Sequence, residues 1–414
     1  MALKDFPLTK EELERVVREY PTPFHLYSEQ GIRESAGALN DAFSCFPGGY
    51  RNFFAVKANA HPSILEITAS EGHGADCSSI PEIHISQAVG LSGGDMIFTS
   101  NNTSQEAFRE AAKAGAIINL DDITFIDKLK KAIGGLPKAL FFRYNPGDTD
   151  DAELTMGTAD AKYGLTRRQI FDAFRTAREM GVEKIGLHAM IVSNELNPAK
   201  HIKTAKTMFE LAAELKPDWI NLGGGIGTQY RPDQVPLDLD EVAKADLDLY
   251  KKILWPNRLQ PEIFTESGRF VTGPNGWLVT RARHVMKKHK DFIGVDAPTA
   301  ALFRSAIYAS AYHHAVILGK EHLPHDHKYH IGSGLCEDVK FGKDRMLPKA
   351  EEGDVIIFYN TGAHGIVMGN NYNGELRPAE LLLRPDGSIE QVTTPETERH
   401  LFSRMNHPGL ARFK

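Results

Sequence analysis

Lys57 closes the apolar run "FFAVKAN" (residues 53–59), and an amine at the end of a strand of that kind invites a chemical reading. Removed in part from water, an ammonium loses hydration and its pKa falls. The neutral amine can then attack a carbonyl carbon and form a Schiff base. The plainer alternative is a lysine whose stem covers apolar surface while its head reaches water. A second group is "NLGGGIG" (221–227), where Gly223, Gly224 and Gly225 carry no side chain, so backbone N–H groups can close on a phosphate. A tight strand-to-helix turn would use the same glycines. A third is "TESGRF" (265–270), in which Glu266 and Arg269 read singly as a salt bridge at a strand end. Together, a Schiff-base lysine, a phosphate cradle and a carboxylate for a ring nitrogen describe a pyridoxal phosphate site.

Positioning these groups requires a repeated unit. Eight short apolar segments recur: "NFFAVKA", "GADCSS", "MIFTS", "AIINLD", "ALFFRYNP", "IGLHAMIV", "WINLGGG" and "EIFTESGR". Between most of them lie stretches such as "SQEAFREAAKAG" and "RRQIFDAFRTAREMG", with apolar residues at helical spacing and a closing glycine. Alternating strands and helices imply parallel pairing, and eight units fit a (β/α)8 TIM barrel over residues 29–273. An open doubly wound sheet is the alternative, but its dinucleotide fingerprint is missing. In such barrels chemistry gathers at the C-terminal strand ends. Those ends carry Lys57, Asp76, Ser100 with Asn101, Asp121, Arg143 with Asn145, His188 with Ser193, the glycine triplet, and Glu266 with Arg269.

The rest of the chain reads differently. From residue 274, "GWLVTRARHVMKK", "FIGVDA", "DVIIFYN" and "AELLLRPDGSIEQVTT" are strands separated by Gly and Pro turns. They predict a β-rich domain, sandwich-like or barrel-like, over 274–414 together with 1–28. Thr9 and Glu12 form a capping box for the first helix, and "TPFHLYS" is a strand ahead of the barrel.

The 414 residues carry a net charge of -6 and no basic stripe, which argues against a nucleic-acid partner. No apolar run is long enough to span a bilayer, and the N-terminus lacks the apolar core of a secretory signal. Cys45, Cys77 and Cys336, odd in number and far apart, suggest a reducing compartment, so a soluble cytoplasmic protein is expected. His322, His325, His327 and His330 follow no metal-ligand spacing and are expected on an exposed loop; no metal site is expected. His313 and His314 are expected in a dimer-facing helical region, without a role.

The chain resembles the diaminopimelate/ornithine decarboxylase group of pyridoxal-phosphate enzymes, which share the alanine-racemase barrel. The resemblance covers nearly the whole chain. It is carried by "FFAVKAN", "GADCSSIPEI", "FRYNPG", "GLHAMIVS", "NLGGGIG", "ESGRF", "FRSAIY", "GSGLCEDV", "GKDRMLP" and "NYNGELRPAELLL". The last motif and "CED" bring it nearer to diaminopimelate decarboxylases. The resemblance implies that Lys57 holds pyridoxal 5'-phosphate as the internal aldimine and that Glu266 pairs with the ring nitrogen. Gly223, Gly224, Gly225, Ser193 and the backbone near Arg269 would hold the phosphate, and Asp76, Arg143 and His188 would line the cofactor. Arg269, Arg304, Tyr308 and Glu337 would bind an amino-acid substrate with a distal carboxylate or ammonium. Cys336 would reach the site of the other subunit in a homodimer and help protonate the carbanion left by CO2. A carboxylate at the ring nitrogen keeps the electron sink strong, which favours decarboxylation over the racemase or epimerase alternative. A non-catalytic regulatory homologue is the other alternative, opposed by Lys57, Glu266 and Cys336.

Three motifs depart from the relatives' pattern. "HAMIVS" has Met190 where a histidine stacks on the cofactor ring, and Val192 in place of a glycine. A methionine packs on an aromatic face but supplies neither proton nor charge. "GAHG" puts His364 in place of a tyrosine that contacts the phosphate. The shortened "CED" lacks a serine that helps hold a distal carboxylate, so a different or modified substrate is expected.

Overall fold

The computed structural model describes residues 3–147, 157–308 and 310–413. It divides into two compact units. One comprises Arg33–Thr228 and Val235–Val271; the other takes the N-terminal segment to Ile32, Gln229–Gln234, and the chain from Thr272 onward.

The chain begins with a helix, Lys10–Glu19, and strand β1 (Phe24–Ser28). Thr9 Oγ1 accepts the Glu12 N–H at 3.2 Å and Glu12 Oε2 accepts the Thr9 N–H at 2.8 Å, the expected capping box.

The first unit is a closed parallel barrel of eight strands in chain order. They are β2 (Tyr50–Ala55), β3 (Gly74–Cys77), β4 (Met96–Ser100), β5 (Ile117–Leu120), β6 (Ala139–Arg143), β7 (Lys184–His188), β8 (Trp219–Asn221) and β9 (Glu262–Thr265). Strands covered on both faces need nearly continuous apolar sequence, and Leu140, Phe141 and Phe142 of β6 are all fully buried. Phe53, Ile97, Ile117, Phe141 and Phe264 form one core cluster, with the Phe53 and Phe264 rings 4.9 Å apart. Gly186 of β7 makes room for it: a Cβ there would lie 2.1 Å from the Phe141 ring.

Helices follow the strands with one apolar face. In Arg167–Glu179 the buried residues are Ile170, Ala173, Phe174 and Ala177, at helical spacing, and Phe174 meets Phe142 with ring centroids 5.7 Å apart. Leu239–Leu254 repeats this pattern with Val242, Ala243, Asp246, Tyr250 and Leu254 buried, so a carboxyl group stands in an apolar stripe. Asp246 is 2% exposed, its Oδ1 has no hydrogen-bond partner among the described residues, and burial pushes its pKa well above the usual carboxylate range. The folded state therefore keeps a proton that the unfolded chain releases. Stability falls as pH rises above the unfolded pKa, by up to about 1.4 kcal/mol per pH unit while the folded acid stays protonated. Asp246→Asn is expected to remove that slope. Urea unfolding of both proteins between pH 5 and pH 8 reads the difference, and equal slopes would contradict the assignment.

The second unit is a nine-stranded mixed sheet of β1 with β10 (Gly276–Lys287), β11 (Asp291–Val295), β12 (Ala315–Ile317), β13 (His327–Gly332), β14 (Lys340–Leu347), β15 (Val355–Phe358), β16 (Ala379–Leu383) and β17 (Ile389–Thr393). Strand β1, the "TPFHLYS" segment, runs antiparallel to β10 and parallel to β16. Strands β12, β13 and β14 lie outside the sequence reading. The first has three residues, and the charges of "KFGKDRML" hide the alternation of the last.

Two histidine expectations are corrected here. His327 and His330 stand on β13, not on a loop, and His330 Nδ1 accepts the Asp344 N–H at 3.1 Å. His313 lies in no helix and is fully buried within this unit, where its Nδ1–H donates to the Tyr359 carbonyl at 2.9 Å. Among the described residues no group of three His, Cys, Asp or Glu gathers to hold a metal, and no helix is long and apolar enough to cross a membrane.

Candidate active site

Strand β2 ends at Ala55, and Lys57 follows in a single 3-10 turn, Val56–Ala58, that lifts its side chain off the strand. Lys57 Nζ donates to Asp76 Oδ2 of the neighbouring β3 at 2.7 Å. Asp76 is nearly sealed, whereas the Lys57 side chain is 49% exposed. The lowered amine pKa expected from sequence is not what the site produces. The depth of the site pushes the ammonium down, but Asp76 and Glu266 outweigh it and raise the Lys57 pKa above its ordinary value. Asp76 is raised too, by burial first and by the Glu266 charge second, against the pull of Lys57. Its Oδ1 has no hydrogen-bond partner among the described residues.

Glu266, just past β9, is 6% exposed and held on both oxygens. His188 Nε2–H, from the end of β7, donates to Oε2 at 3.2 Å, and Asn221 Nδ2–H, from the end of β8, donates to Oε1 at 2.8 Å. Burial raises the Glu266 pKa, but His188, Lys57 and Asn221 together bring it below the ordinary range, so it is ionised at neutral pH. Asn221 escapes the sequence reading. Its Oδ1 also accepts the Gly223 N–H at 2.9 Å, tying the glycine loop to the carboxylate. The clue was present in the asparagine that opens "NLGGG". Asn52 of β2 works the same way one shell out, its Oδ1 accepting the Ser267 N–H at 2.8 Å.

The glycine loop is packed too closely for side chains. Gly223 and Gly225 have φ of +72° and +98°, and a Cβ on either would lie 2.3 Å from the Ala189 or the Val192 carbonyl oxygen. The Gly224 N–H donates to Met190 Sδ at 3.2 Å, so Met190 engages the loop through its sulfur. Ser193 is exposed on the segment after β7. Arg143 Nη1 donates to Asp121 Oδ1 at 3.0 Å, both nearly sealed, and its guanidinium lies 4.6 Å from the Tyr163 ring centre. Arg269 opens the short helix Arg269–Thr272.

The remaining predicted residues belong to the second unit. Arg304 heads the short helix Arg304–Ile307 and lies 4.6 Å from the Tyr230 ring centre and 5.8 Å from that of Tyr308. Tyr308, Cys336 and Glu337 are exposed. Cys336 Sγ–H donates to Asn373 Oδ1 at 3.2 Å, and the Tyr372 hydroxyl donates to Glu337 Oε1 at 3.4 Å. Tyr372 and Asn373 were not singled out from the sequence, although "NYNG" contains them. His364 has φ of +54°, a left-handed conformation histidine tolerates better than most side chains.

Pyridoxal phosphate fits the barrel residues. Asp76 Oδ1, Arg143 Nη2 and His188 Nδ1 are buried without hydrogen-bond partners among the described residues, beside an amine, a glycine cradle and an ionised carboxylate. Those groups answer an aldehyde, a phosphate and a protonated pyridine nitrogen in turn.

Known proteins agree. Residues 31–273 match the family of the pyridoxal-dependent decarboxylase, pyridoxal binding domain. Protein TabA of Pseudomonas amygdali pv. tabaci is 35% identical over 400 residues, covering 95% of this chain and 92% of its own. The diaminopimelate decarboxylase of Methanothermobacter thermautotrophicus is 32% identical over 402 residues, 94% and 93% of the two chains. A crystal structure of diaminopimelate decarboxylase from M. jannaschii with L-lysine superposes with a TM-score of 0.91 at 26% identity, over 99% of each chain. A barrel with this lysine, glycine loop and carboxylate, matched over more than half its length, makes the chain a member of the pyridoxal-dependent decarboxylases, carboxy-lyases whose cofactor is pyridoxal 5'-phosphate.

Proposed function

We propose that the protein removes the α-carboxylate of an amino acid bearing a distal carboxylate, ammonium or both, a diaminopimelate-like substrate. The observation that carries this reading is Glu266, ionised and fixed by His188 and Asn221 within one barrel with Lys57. Bound pyridoxal phosphate supplies an electron sink conjugated to the substrate's α-carbon. Lys57 Nζ provides the amine, and Asp76 Oδ2, 2.7 Å away, orients it. Each Glu266 oxygen keeps a lone pair for the ring N–H. Gly223, Gly224, Gly225, Ser193, the backbone near Arg269, and His364 are assigned to the phosphate. Arg143 and His188 are assigned to the ring's surroundings. Met190 offers its thioether to Gly224 where the relatives' histidine would stack, which leaves proton handling at the ring to other groups.

Arg269, Arg304, Tyr308 and Glu337 are assigned to the substrate's charged ends, with the relatives' names and the lysine-bound neighbour as support. CO2 release from meso-diaminopimelate, lysine, ornithine, arginine and glutamate tests the reading. Release from a substrate with a distal charge is expected, and inversion of stereochemistry without CO2 would overturn it.

Cys336 is assigned to protonate the α-carbon in the other subunit's site, with its exposure and that of Glu337 as support. Lys57→Ala and Cys336→Ala homodimers are then both nearly inactive. After subunit exchange about half the dimers are mixed, each with one intact site, so about one quarter of wild-type activity returns. Exchange shown by native mass spectrometry without recovered activity would refute the shared site.

A further inference from the structure

A cavity of about 440 Å3 in the second unit is lined by Arg231, Ser305, Tyr312, Lys340, Lys343 and Arg345 among others. The Arg231 and Arg345 guanidinium carbons lie 4.1 and 3.5 Å from the centre of the Tyr312 ring. Two like charges thus converge on one side chain, and among the described residues neither arginine forms an ion pair. Asp338, also on the wall, pairs with Lys340 and lies in the field of Lys343, which leaves Arg231 and Arg345 as the cations without a carboxylate partner among the described residues. Arg345 Nε and Ser305 Oγ are sealed from solvent and have no hydrogen-bond partner among the described residues. Burial first, and the Arg231 charge with it, lower the Arg345 pKa against the opposing pull of Tyr312. Burying an unpaired donor and crowding two cations are both unfavourable, and a single bound anion relieves both.

We propose that this cavity binds a small dianion, with Arg345 and Arg231 as its principal ligands. Phosphate and dicarboxylate share the chemistry, since either presents paired oxygens to a guanidinium fork. The site uses none of the residues assigned above to cofactor or substrate.

Calorimetric titration of the pyridoxal-phosphate-loaded enzyme, with inorganic phosphate and separately with malonate in low-chloride buffer, tests this. Loading the cofactor fills its own phosphate cradle beforehand. One saturable site per chain is expected for at least one probe: phosphate alone marks a phosphoryl ligand, malonate alone a dicarboxylate. Arg345→Leu and Arg231→Ala should each weaken Kd at least tenfold, while Arg304→Ala leaves it unchanged. Should Arg345→Leu fail to fold, Arg231→Ala decides. Absence of saturable binding by either probe overturns the proposal. So does an affinity that Arg304→Ala abolishes and the folded cavity variants retain, because the anion then sits in the substrate site.

Discussion

Lys57→Ala is expected to lose CO2 release by roughly four orders of magnitude or more, the scale seen when a covalent group is deleted from a catalytic set. The loss has two parts. The amine assigned to take the cofactor covalently is gone, and Asp76 is left buried beside Glu266 without the cation at 2.7 Å that offsets their repulsion. Lys57→Arg restores the charge but not the nucleophile, so it should recover stability without recovering turnover. The measurement is absorbance of the bound cofactor before and after borohydride, followed by peptide mapping. Wild type should carry the reduced label on Lys57 and the variants none. A label on another lysine would displace Lys57 from its role.

Glu266→Gln is expected to lower kcat by about 10²–10³-fold while the cofactor stays bound, the usual effect of removing one preorganised electrostatic partner. Gln cannot return the negative charge proposed to keep the ring nitrogen protonated. Its amide also meets two donors, His188 Nε2–H and Asn221 Nδ2–H, so one of those hydrogen bonds is lost. Glycine-loop contacts do not depend on that charge, which is why affinity for the cofactor should change far less than rate. Single-turnover decarboxylation distinguishes the chemical step from product release. An unchanged chemical rate would remove Glu266 as the group that tunes the ring.

Several features were legible in the chain because their causes are local. Parallel strands buried on both faces require apolar runs such as "ALFFR", and helices on one side of them require the spacing of Ile170, Ala173, Phe174 and Ala177. A backbone that takes φ of +72° and +98° at Gly223 and Gly225, each packed against a carbonyl oxygen, needs glycine, so the glycine loop announces itself by composition. Lysine, glycine triplet and carboxylate at successive strand ends were enough to identify the cofactor.

Only the tertiary structure decided how these groups act on one another. Lys57 reads as a desolvated amine in its own strand, but its charge is settled by Asp76, 19 residues away, and by Glu266 from the far end of the barrel sequence. Asn221 gained its role only when β8 and β9 were paired, which brought its Nδ2–H to Glu266, while its Oδ1 accepts the Gly223 N–H just two residues on. Met190 could be placed near the cofactor by its motif, yet its partner, the Gly224 N–H, depended on how two loops met. His313 was expected in a dimer-facing helical region, but it lies in no helix, and the Tyr359 carbonyl accepts its Nδ1–H and lets it be buried. Arg231, Tyr312 and Arg345 are spread over more than a hundred residues, and no periodicity connects them. Periodicity and glycine content report what a segment needs from its own backbone. Electrostatics and hydrogen-bond partnership are sums over neighbours that the chain brings together only when it folds.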